Sequence, residues 1–263
     1  MRRARYPLKK IEKIQADVFC LTFSAPSFSS KAVPGQFLHF KVDSSVILRR
    51  PLSIHDIYRD EISVLFRVRG KGTESLSRFK PGDRLDIIGP LGNGFSLKKI
   101  SSYDRIYLLA GGIGVAPLFF LAKVLNGKKT ASQDQKLTLL LGAASKKELL
   151  CAGRFKQLGW KVKTITDDGS CGRQGLCLDL LEEELNKPGK QEEKIKIYAC
   201  GPEPMFKSLA EVLRPLPQID CEVSFEQFMG CGIGICLGCV ISTRQGYKRV
   251  CKDGPVFNIK DVF

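Results

Sequence analysis

Histidine is scarce in this chain, which has 263 residues but only two histidines, His39 and His55. Two histidines cannot supply a histidine-rich metal site together with an acid–base histidine. No Ser, His and Asp constellation stands out along the chain either. The sequence therefore predicts no catalytic side chain of its own.

Long apolar runs are also lacking. Segment 106–125 has a single charge, Lys123, but it contains Gly111, Gly112, Gly114 and Pro117, so a strand, a glycine turn and a helix explain it better than a membrane span. The basic N-terminus is not followed by an apolar stretch of signal-peptide length. We therefore expect no integral membrane segment, no secretion and a cytoplasmic location.

Hydrophobic residues make up 43% of the chain, which excludes a disordered or collagen-like protein. The formal net charge is +15, which favours nucleic acid, an anionic surface or an anionic ligand such as a dinucleotide as a partner. Residues 1–100 hold 19 Lys+Arg against 9 Asp+Glu, so two-thirds of the excess lies there.

The first hundred residues contain short β-rich runs separated by turn dipeptides. Three runs, at 17–23, 36–42 and 61–68, alternate with Pro-Gly and Gly-Pro turns. This pattern predicts a small antiparallel β-barrel over residues 1–100.

From about residue 101 the pattern changes to alternating strands and helices. Apolar runs of buried-strand length occur at 106–110, 137–142, 162–166 and 195–200. The segment 204–214 carries one apolar stripe at helical spacing, and polar segments at 126–136 and 186–194 are predicted loops. Residues 101–220 are therefore predicted to form an α/β domain with a parallel sheet. Residues 221–263 form a third piece that is too short for a core of its own and needs a cross-link, such as a metal site, to be ordered.

The C-terminal piece contains the most specific motif. Cys231, Cys236 and Cys239 have the spacing C-x4-C-x2-C, and Cys251 follows after eleven further residues. The first three match the plant-type ferredoxin spacing for a [2Fe–2S] cluster. Intervening glycines would let the backbone approach the sulfides and donate N–H bonds to them.

A structural zinc site is the main alternative, although zinc sites usually pair two separated C-x2-C knuckles and only one is present. The remaining cysteines are scattered, and we expect them to be small buried side chains: Cys20, Cys151, Cys171, Cys177, Cys200 and Cys221.

Four glycine- or proline-containing motifs occur in order at predicted strand ends. They are Arg50-Pro-Leu-Ser53, Gly70-Lys-Gly-Thr73, Gly111-Gly-Ile-Gly-Val-Ala-Pro117 and Cys200-Gly-Pro-Glu-Pro-Met205. Thr73 at the end of the second motif could cap a helix, and such a helix start would offer its N–H groups to a pyrophosphate. The third motif follows a buried strand and opens a helix, as a dinucleotide loop does, although it is not the G-x-G-x-x-G fingerprint.

These four motifs resemble those of the ferredoxin-NADP reductase superfamily. With the C-terminal cysteines added, nearly the whole chain resembles the electron-transfer subunits of type B dihydroorotate dehydrogenases. The resemblance implies an FAD-binding barrel, an NAD-binding α/β domain and a [2Fe–2S] segment, with NAD(H) as co-substrate.

The resemblance also implies site residues. Arg50 would face the FAD pyrophosphate and Ser53 the isoalloxazine ring. The full implied flavin set is Arg50, Pro51, Leu52, Ser53, Leu65, Phe66, Arg67, Gly72 and Thr73. The implied loops near the flavin and nicotinamide hold Gly111, Gly112, Gly114, Cys200, Gly201 and Pro202. The implied cluster ligands are Cys231, Cys236, Cys239 and Cys251.

The implied function is electron transfer in pyrimidine biosynthesis, from a partner subunit through the cluster and FAD to NAD+. The partner would be an FMN-containing dihydroorotate dehydrogenase catalytic subunit, in a heterotetramer. The cofactors carry such chemistry and the protein positions them, which agrees with the lack of catalytic side chains.

Two other functions stay open from the sequence. One is a flavin/iron–sulfur subunit of a ferredoxin-NADP or sulfide reductase, which shares the same motifs. The other is a basic, zinc-containing nucleic-acid-binding protein, which only the charge supports. The excess charge at the N-terminus, including Arg2, Arg3, Arg5, Lys9 and Lys10, is not explained by cofactor binding, and an acidic partner is a hypothesis for it.

Overall fold

The computed structural model describes residues 2–42, 46–127, 136–188 and 192–263. The chain divides into two compact units, each made of separate stretches of sequence. Unit 1 contains residues 1–94, 226–242 and 246–255, and unit 2 contains 95–225, 243–245 and 256–263. Residues 128–135, most of the predicted loop at 126–136, lie outside the described residues, and so do 189–191 of the predicted loop at 186–194. The described residues of the second loop, 186–188 and 192–194, belong to no helix or strand, as predicted.

Unit 1 contains a closed barrel of six antiparallel strands, as predicted. The strands are β1 (Arg2–Lys13), β2 (Val18–Ser24), β3 (Phe37–Lys41), β4 (Arg50–Tyr58), β5 (Glu61–Arg67) and β6 (Arg84–Leu91). Their order around the barrel is β1-β2-β5-β4-β3-β6. Two short helices, α1 (Pro26–Ser29) and α2 (Lys71–Ser77), complete this part of the chain.

The barrel core is aromatic and aliphatic, and it includes the fully buried Phe23, Phe28 and Phe40. Strand β1 was not predicted, because its charged residues hide the alternation of a strand. Several of these charges are paired inside unit 1: Arg3 and Arg5 contact Asp86, and Lys9 contacts Glu61. Part of the N-terminal charge therefore has partners within the barrel and does not require an acidic protein.

Unit 2 is built on a six-stranded sheet in the order β14-β11-β10-β7-β8-β9. Its strands are β7 (Arg105–Gly111), β8 (Lys136–Ala143), β9 (Lys161–Thr166), β10 (Ile195–Cys200), β11 (Asp220–Ser224) and the short β14 (Val256–Asn258). β7 to β11 are parallel to one another, and β14 pairs antiparallel with β11. The parallel sheet was predicted, whereas β11 and β14 were not.

The helices of unit 2 are α3 (Val115–Gly127), α4 (Ala152–Gln157), α5 (Cys177–Leu185), α6 (Glu203–Leu213) and α7 (Ile259–Val262). The predicted stripe of α6 buries Phe206, Leu209 and Leu213. A hairpin of β12 (Val240–Thr243) and β13 (Gly246–Arg249) follows the cysteine motif. Among the described residues, none of the helices has the length and apolar character needed to cross a membrane.

A buried carboxylate in unit 2 leads to a prediction about acid stability. Glu184 is 2% exposed and contacts the ammonium groups of Lys163 and Lys187. Burial by itself would raise the pKa of Glu184, but these two lysines outweigh it and lower the pKa to about 2. A depressed carboxyl pKa stabilises the fold above the unfolded-state value of about 4.3 and loses this contribution as the pH falls toward the folded value.

Replacement of Glu184 by glutamine should therefore destabilise the protein by about 2 kcal/mol at pH 7 and by much less near pH 2, because a buried charge pair loses one partner. Urea unfolding across this pH range measures the difference. Glu211→Gln is a matched control, since Glu211 is an exposed residue in an ion pair with Arg214. An equal loss at both pH values would contradict the prediction.

Candidate functional site

The loop from Cys231 to Cys236 surrounds one sulfur with backbone donors. The N–H groups of Ile233, Ile235 and Cys236 donate to Sγ of Cys231 at 3.3–3.4 Å. Burial would raise the pKa of the Cys231 thiol, but these hydrogen bonds lower it to about 6. Positive φ angles at Gly232 and Gly234 turn the N–H groups inward. The loop is therefore built to stabilise a thiolate.

The four motif cysteines are arranged as two pairs. The N–H of Cys231 also donates to Sγ of Cys236 at 3.4 Å, and the N–H of Cys251 donates to Sγ of Cys239 at the same distance. Cys239 and Cys251 are buried, whereas Cys236 is exposed. Two thiols on each side match the two irons of a [2Fe–2S] cluster, which is held by four cysteines.

Within the described ranges, no three His, Cys, Asp or Glu side chains come together as the ligands of a single metal ion.

The hairpin end is fixed to the cysteine loop by Arg249, which donates to the carbonyl oxygen of Gly234 at 3.0 Å. Asp253 accepts from Arg249 through both carboxylate oxygens, at 3.0 and 3.1 Å. This brace holds the segment that carries Cys251 against the loop that carries Cys231.

In the barrel, the structure brings together two residues of the predicted flavin set from separate motifs. Arg50 begins β4, and Gly72 lies in the first turn of α2. A Cβ added at Gly72 would lie 2.2 Å from Nε of Arg50. Only glycine lets the guanidinium rest on this turn, where it adds positive charge to the helix start.

The other predicted flavin residues line β4, β5 and α2. Leu65 and Phe66 are buried, and Arg67 forms an ion pair with Asp17 at 2.9 Å. Thr73 is not the helix N-cap, which is Gly70; its hydroxyl donates to the carbonyl of Gly70 and accepts from the N–H of Arg69. Pro51, Leu52 and Ser53 follow Arg50 along β4.

In unit 2, both predicted nicotinamide loops lie at the carboxyl edge of the sheet. The first follows β7 and the second follows β10, and these strands are neighbours. The order of the sheet reverses between them, since β8 and β9 lie on one side and β11 on the other. Dinucleotides bind at such switch points in open parallel sheets.

The two loops approach each other so closely that a side chain would not fit. A Cβ at Gly114 would lie 2.2 Å from the carbonyl oxygen of Cys200 and 2.8 Å from the amide nitrogen of Gly201. A Cβ at Gly111 would lie 3.0 Å from Cδ of Pro202. The structure thus joins the predicted residues of both loops, while Gly112 has open space around it.

The cysteines outside the motif form no disulfide, and the expectation that all six are buried is only partly correct. Cys20, Cys177 and Cys221 are buried, whereas Cys151, Cys171 and Cys200 are partly exposed. Cys200 is the last residue of β10, at the carboxyl edge of the sheet, and is therefore only partly covered by its neighbours.

Two features of the cysteine site were missed from the sequence. One is the Arg249–Asp253 brace. The other is His39, a buried residue of β3 that packs against the cysteine loop. Burial lowers the pKa of His39 to about 4, and the nearby Arg49 acts in the same direction. A lone histidine in an apolar strand gives no sign of such a neighbour.

Four large apolar side chains in the segment that carries the motif cysteines, residues 226–255, are exposed. They are Phe228, Ile235, Leu237 and Tyr247, which are between 61% and 93% exposed. Six others are spread over the rest of the described residues: Ile14, Val33, Ile47, Leu48, Tyr58 and Leu176. Exposed apolar side chains that lie close together are typical of a protein–protein interface.

Comparison with known proteins agrees with this geometry. Residues 226–263 match the family model described as the iron–sulfur cluster binding domain of dihydroorotate dehydrogenase B. Residues 108–211 match the oxidoreductase NAD-binding domain. The motif cysteines and the two predicted nicotinamide loops thus fall within domains of the predicted kinds. The first match favours an iron–sulfur cluster over a zinc site.

Relatives cover nearly the full chain. The dihydroorotate dehydrogenase B (NAD(+)) electron transfer subunit of Caldanaerobacter subterraneus is 39% identical over 95% of this chain and 94% of its own. That of Bacillus caldolyticus is 37% identical over 99% and 98%. These matches confirm the resemblance and the oxidoreductase electron-transfer function expected from the sequence.

Among solved structures, an NADH-dependent reduced ferredoxin-NADP oxidoreductase, described for flavin-based electron bifurcation, has a TM-score of 0.85 at 30% identity. The alignment covers 99% of this chain and 90% of the solved chain. A ferredoxin NADP+ reductase from Neisseria gonorrhoeae has a TM-score of 0.68 at 16% identity, over 86% and 100% of the two chains, and shows a shared fold alone. The predicted fold class is confirmed.

Proposed function

The chain belongs to the family of dihydroorotate dehydrogenase B electron transfer subunits, and from this premise we propose that it carries electrons between a partner's FMN and NAD+ through a [2Fe–2S] cluster and FAD. The observation that carries the proposal is the arrangement of four thiols in two pairs, one of which is surrounded by backbone donors. When bound, FAD would exchange electron pairs with NAD(H), and the cluster would exchange single electrons.

The proposed cluster ligands are Cys231, Cys236, Cys239 and Cys251. Their backbone surroundings would neutralise part of the negative charge on sulfur, and such hydrogen bonds are one of the determinants of reduction potential. The Arg249–Asp253 brace would keep the last ligand in position relative to the first three.

The proposed FAD site is formed by the residues implied at β4, β5 and α2. Arg50 would bind the pyrophosphate next to Gly72 and Thr73, because guanidinium groups recognise phosphate oxygens through several N–H donors. Pro51, Leu52, Ser53, Leu65, Phe66 and Arg67 would complete the set. We also propose the division of the chain into three functional parts: residues 1–100 bind FAD, residues 101–220 bind NAD(H) and residues 221–263 bind the cluster.

The proposed nicotinamide site is formed by the two loops at the switch point. Gly111, Gly112 and Gly114 would let the dinucleotide approach the backbone, and Cys200, Gly201 and Pro202 would form the opposite side. No acid–base side chain is required, because these residues only bind and orient the reactants.

The family name implies a catalytic partner subunit, and we propose that this partner contains FMN, oxidises dihydroorotate to orotate and assembles with this chain as a heterotetramer in the cytoplasm. The exposed Phe228, Ile235, Leu237 and Tyr247 support a docking surface beside the cluster ligands. A ligand close to the surface, such as the exposed Cys236, suits electron transfer across an interface.

The test is to purify the chain anaerobically, alone and with an FMN-containing dihydroorotate dehydrogenase subunit. We expect bound FAD, about two iron atoms per chain, and NAD+ reduction by dihydroorotate only when both subunits are present. Ferredoxin-dependent reduction of the nicotinamide without that subunit would instead support the ferredoxin-NADP reductase alternative, which the 30% identical solved structure favours. Colourless protein with one zinc would overturn the proposal.

A prediction for the FAD site follows from the contact between Arg50 and Gly72. Gly72→Ala places a methyl group in the space of the Arg50 guanidinium, so we expect FAD affinity to fall by about tenfold, the effect of losing one charge-assisted hydrogen bond. Fluorescence titration of the apoprotein with FAD measures this.

Gly70→Ala is the matched control, because nothing lies within 4 Å of a Cβ there and its φ of 166° is extended. Unchanged FAD affinity in Gly72→Ala, or an equal loss in both variants, would remove the Arg50 contact from the proposed site.

A further inference from the structure

His39 has an unusual environment for a histidine of a barrel strand. Its side chain is fully buried, and neither ring nitrogen has a hydrogen-bond partner among the described residues. An imidazole carries at least one N–H in either protonation state. Buried polar groups in folded proteins nearly always have a partner, so the missing partner of His39 requires an explanation.

The ring lies against the cysteine loop. A Cβ added at Gly232 would be 2.4 Å from Nδ1 of His39 and 2.9 Å from Cε1. Gly232 has a φ of +70° and directly follows Cys231. Both the backbone conformation and the close approach of the ring therefore require glycine at this position.

The backbone groups of Arg49 and Cys231 lie close to the ring, yet neither makes a hydrogen bond of good geometry with a ring nitrogen. The guanidinium of Arg49 donates to the backbone carbonyl oxygen of His39 and to Asp86, and Phe37 packs edge-on against the ring. The edge of the ring that carries Nδ1 meets Gly232, next to Cys231, in the loop whose sulfurs would hold the cluster. Sulfur atoms bound to iron accept hydrogen bonds.

We propose that the N–H of His39 is a hydrogen-bond donor to a sulfur of the [2Fe–2S] cluster and raises its reduction potential. This inference rests on the proposed function, because it requires the cluster. A donor near sulfur stabilises the reduced cluster, which carries one more negative charge, more than the oxidised cluster. His39 is thus a positioning and tuning residue, and it is not a cluster ligand.

The location of His39 gives the interaction a role in electron transfer. His39 pairs with Pro51 across β3 and β4, and Pro51 belongs to the proposed FAD set. Strand β3 therefore carries the proposed hydrogen-bond donor to the cluster, and the neighbouring strand β4 carries proposed flavin residues. Changes in this strand would alter the driving force for transfer between the two cofactors.

The first experiment uses the scarcity of histidine in the chain. Full-length protein is produced with ¹⁵N-histidine, loaded with FAD and cluster, reduced and examined by pulsed EPR. We expect a weak ¹⁵N coupling to the reduced cluster that disappears in His39→Leu and persists in His55→Gln, the variant at the only other histidine. A coupling that is absent in the wild type would overturn the inference.

The second experiment measures the cluster's midpoint potential by EPR-monitored redox titration. In His39→Leu, the ratio of reduced to oxidised cluster at a fixed ambient potential should fall by about tenfold, which corresponds to about 59 mV for one electron. His39→Asn keeps an N–H near the position of Nδ1 and should restore most of the ratio. Equal potentials in the wild type and His39→Leu would overturn the inference.

The outcomes separate this inference from the proposed function. If the wild type holds no [2Fe–2S] cluster, the proposed function fails and both experiments show it directly. If the wild type holds the cluster but its potential and hyperfine couplings do not depend on His39, only the inference fails. Should His39→Leu not fold, the labelled wild type and His39→Asn still decide the question.

Discussion

Cys236→Ala removes the iron–sulfur absorbance and lowers the iron content from about two atoms per chain to nearly none. This is the largest effect expected from a single substitution in the protein. Cys236 is one of the two thiols on the loop side of the site, and its Sγ accepts from the N–H of Cys231. Without it, one iron would keep a single thiolate from the protein, and the cluster would not be retained.

The cluster is also expected to order its segment, because residues 226–255 have few buried side chains of their own. Cys236→Ala should therefore be cut faster in this segment by a protease, while the barrel remains resistant. Iron analysis, visible absorbance and limited proteolysis test this expectation. The control is Cys171→Ala, a partly exposed cysteine of unit 2, which should keep full iron. Two irons per chain in Cys236→Ala would remove Cys236 from the ligand set.

Gly114→Val should abolish most reaction with NADH while leaving FAD and the cluster in place. The atoms that a Cβ would meet are backbone atoms of Cys200 and Gly201, which cannot rotate away as a side chain can. The loops after β7 and β10 would have to separate. A displacement of this size at a binding site reduces kcat/KM by about a hundredfold.

Steady-state oxidation of NADH with ferricyanide as the acceptor measures this effect, and FAD content shows whether the barrel is intact. Gly153→Ala is the matched control, since it lies in α4 of the same unit with nothing within 4 Å of a Cβ. Wild-type kcat/KM in Gly114→Val would show that the two loops do not form the nicotinamide site.

The sequence motifs located much of the candidate site because they depend on backbone geometry. The cysteine spacing and the glycines of the nicotinamide loop are fixed by how closely the chain must approach a ligand or another loop, and such requirements appear directly as residue types. Arg249, Asp253 and His39 could not be found in this way. Arg249 and Asp253 are close in sequence, but their role depends on the contact of Arg249 with the carbonyl of Gly234. His39 meets the cysteine loop only because the chain folds back on its first barrel strands. Each is an ordinary residue in its local sequence.

The same distinction applies to the fold. The apolar strands of the parallel sheet were predicted because strands buried on both faces form continuous apolar runs. Strand β1 was missed because its arginines and lysines point to partners such as Asp86 and Glu61, which only the closed barrel brings near. Strand β14 was missed because it has three residues and is held by its neighbour β11.

The discontinuity of both units in the sequence has a consequence for biosynthesis. The barrel strands end at Leu91, yet the cysteine loop of the same unit arrives only after almost all of unit 2 has been translated. The sheet of unit 2 likewise is complete only when β14 (Val256–Asn258) has been made. Since domains form as they leave the ribosome, neither unit can be completed until the residues after 250 have been translated, and the cluster can gain its fourth ligand only after Cys251 has been made.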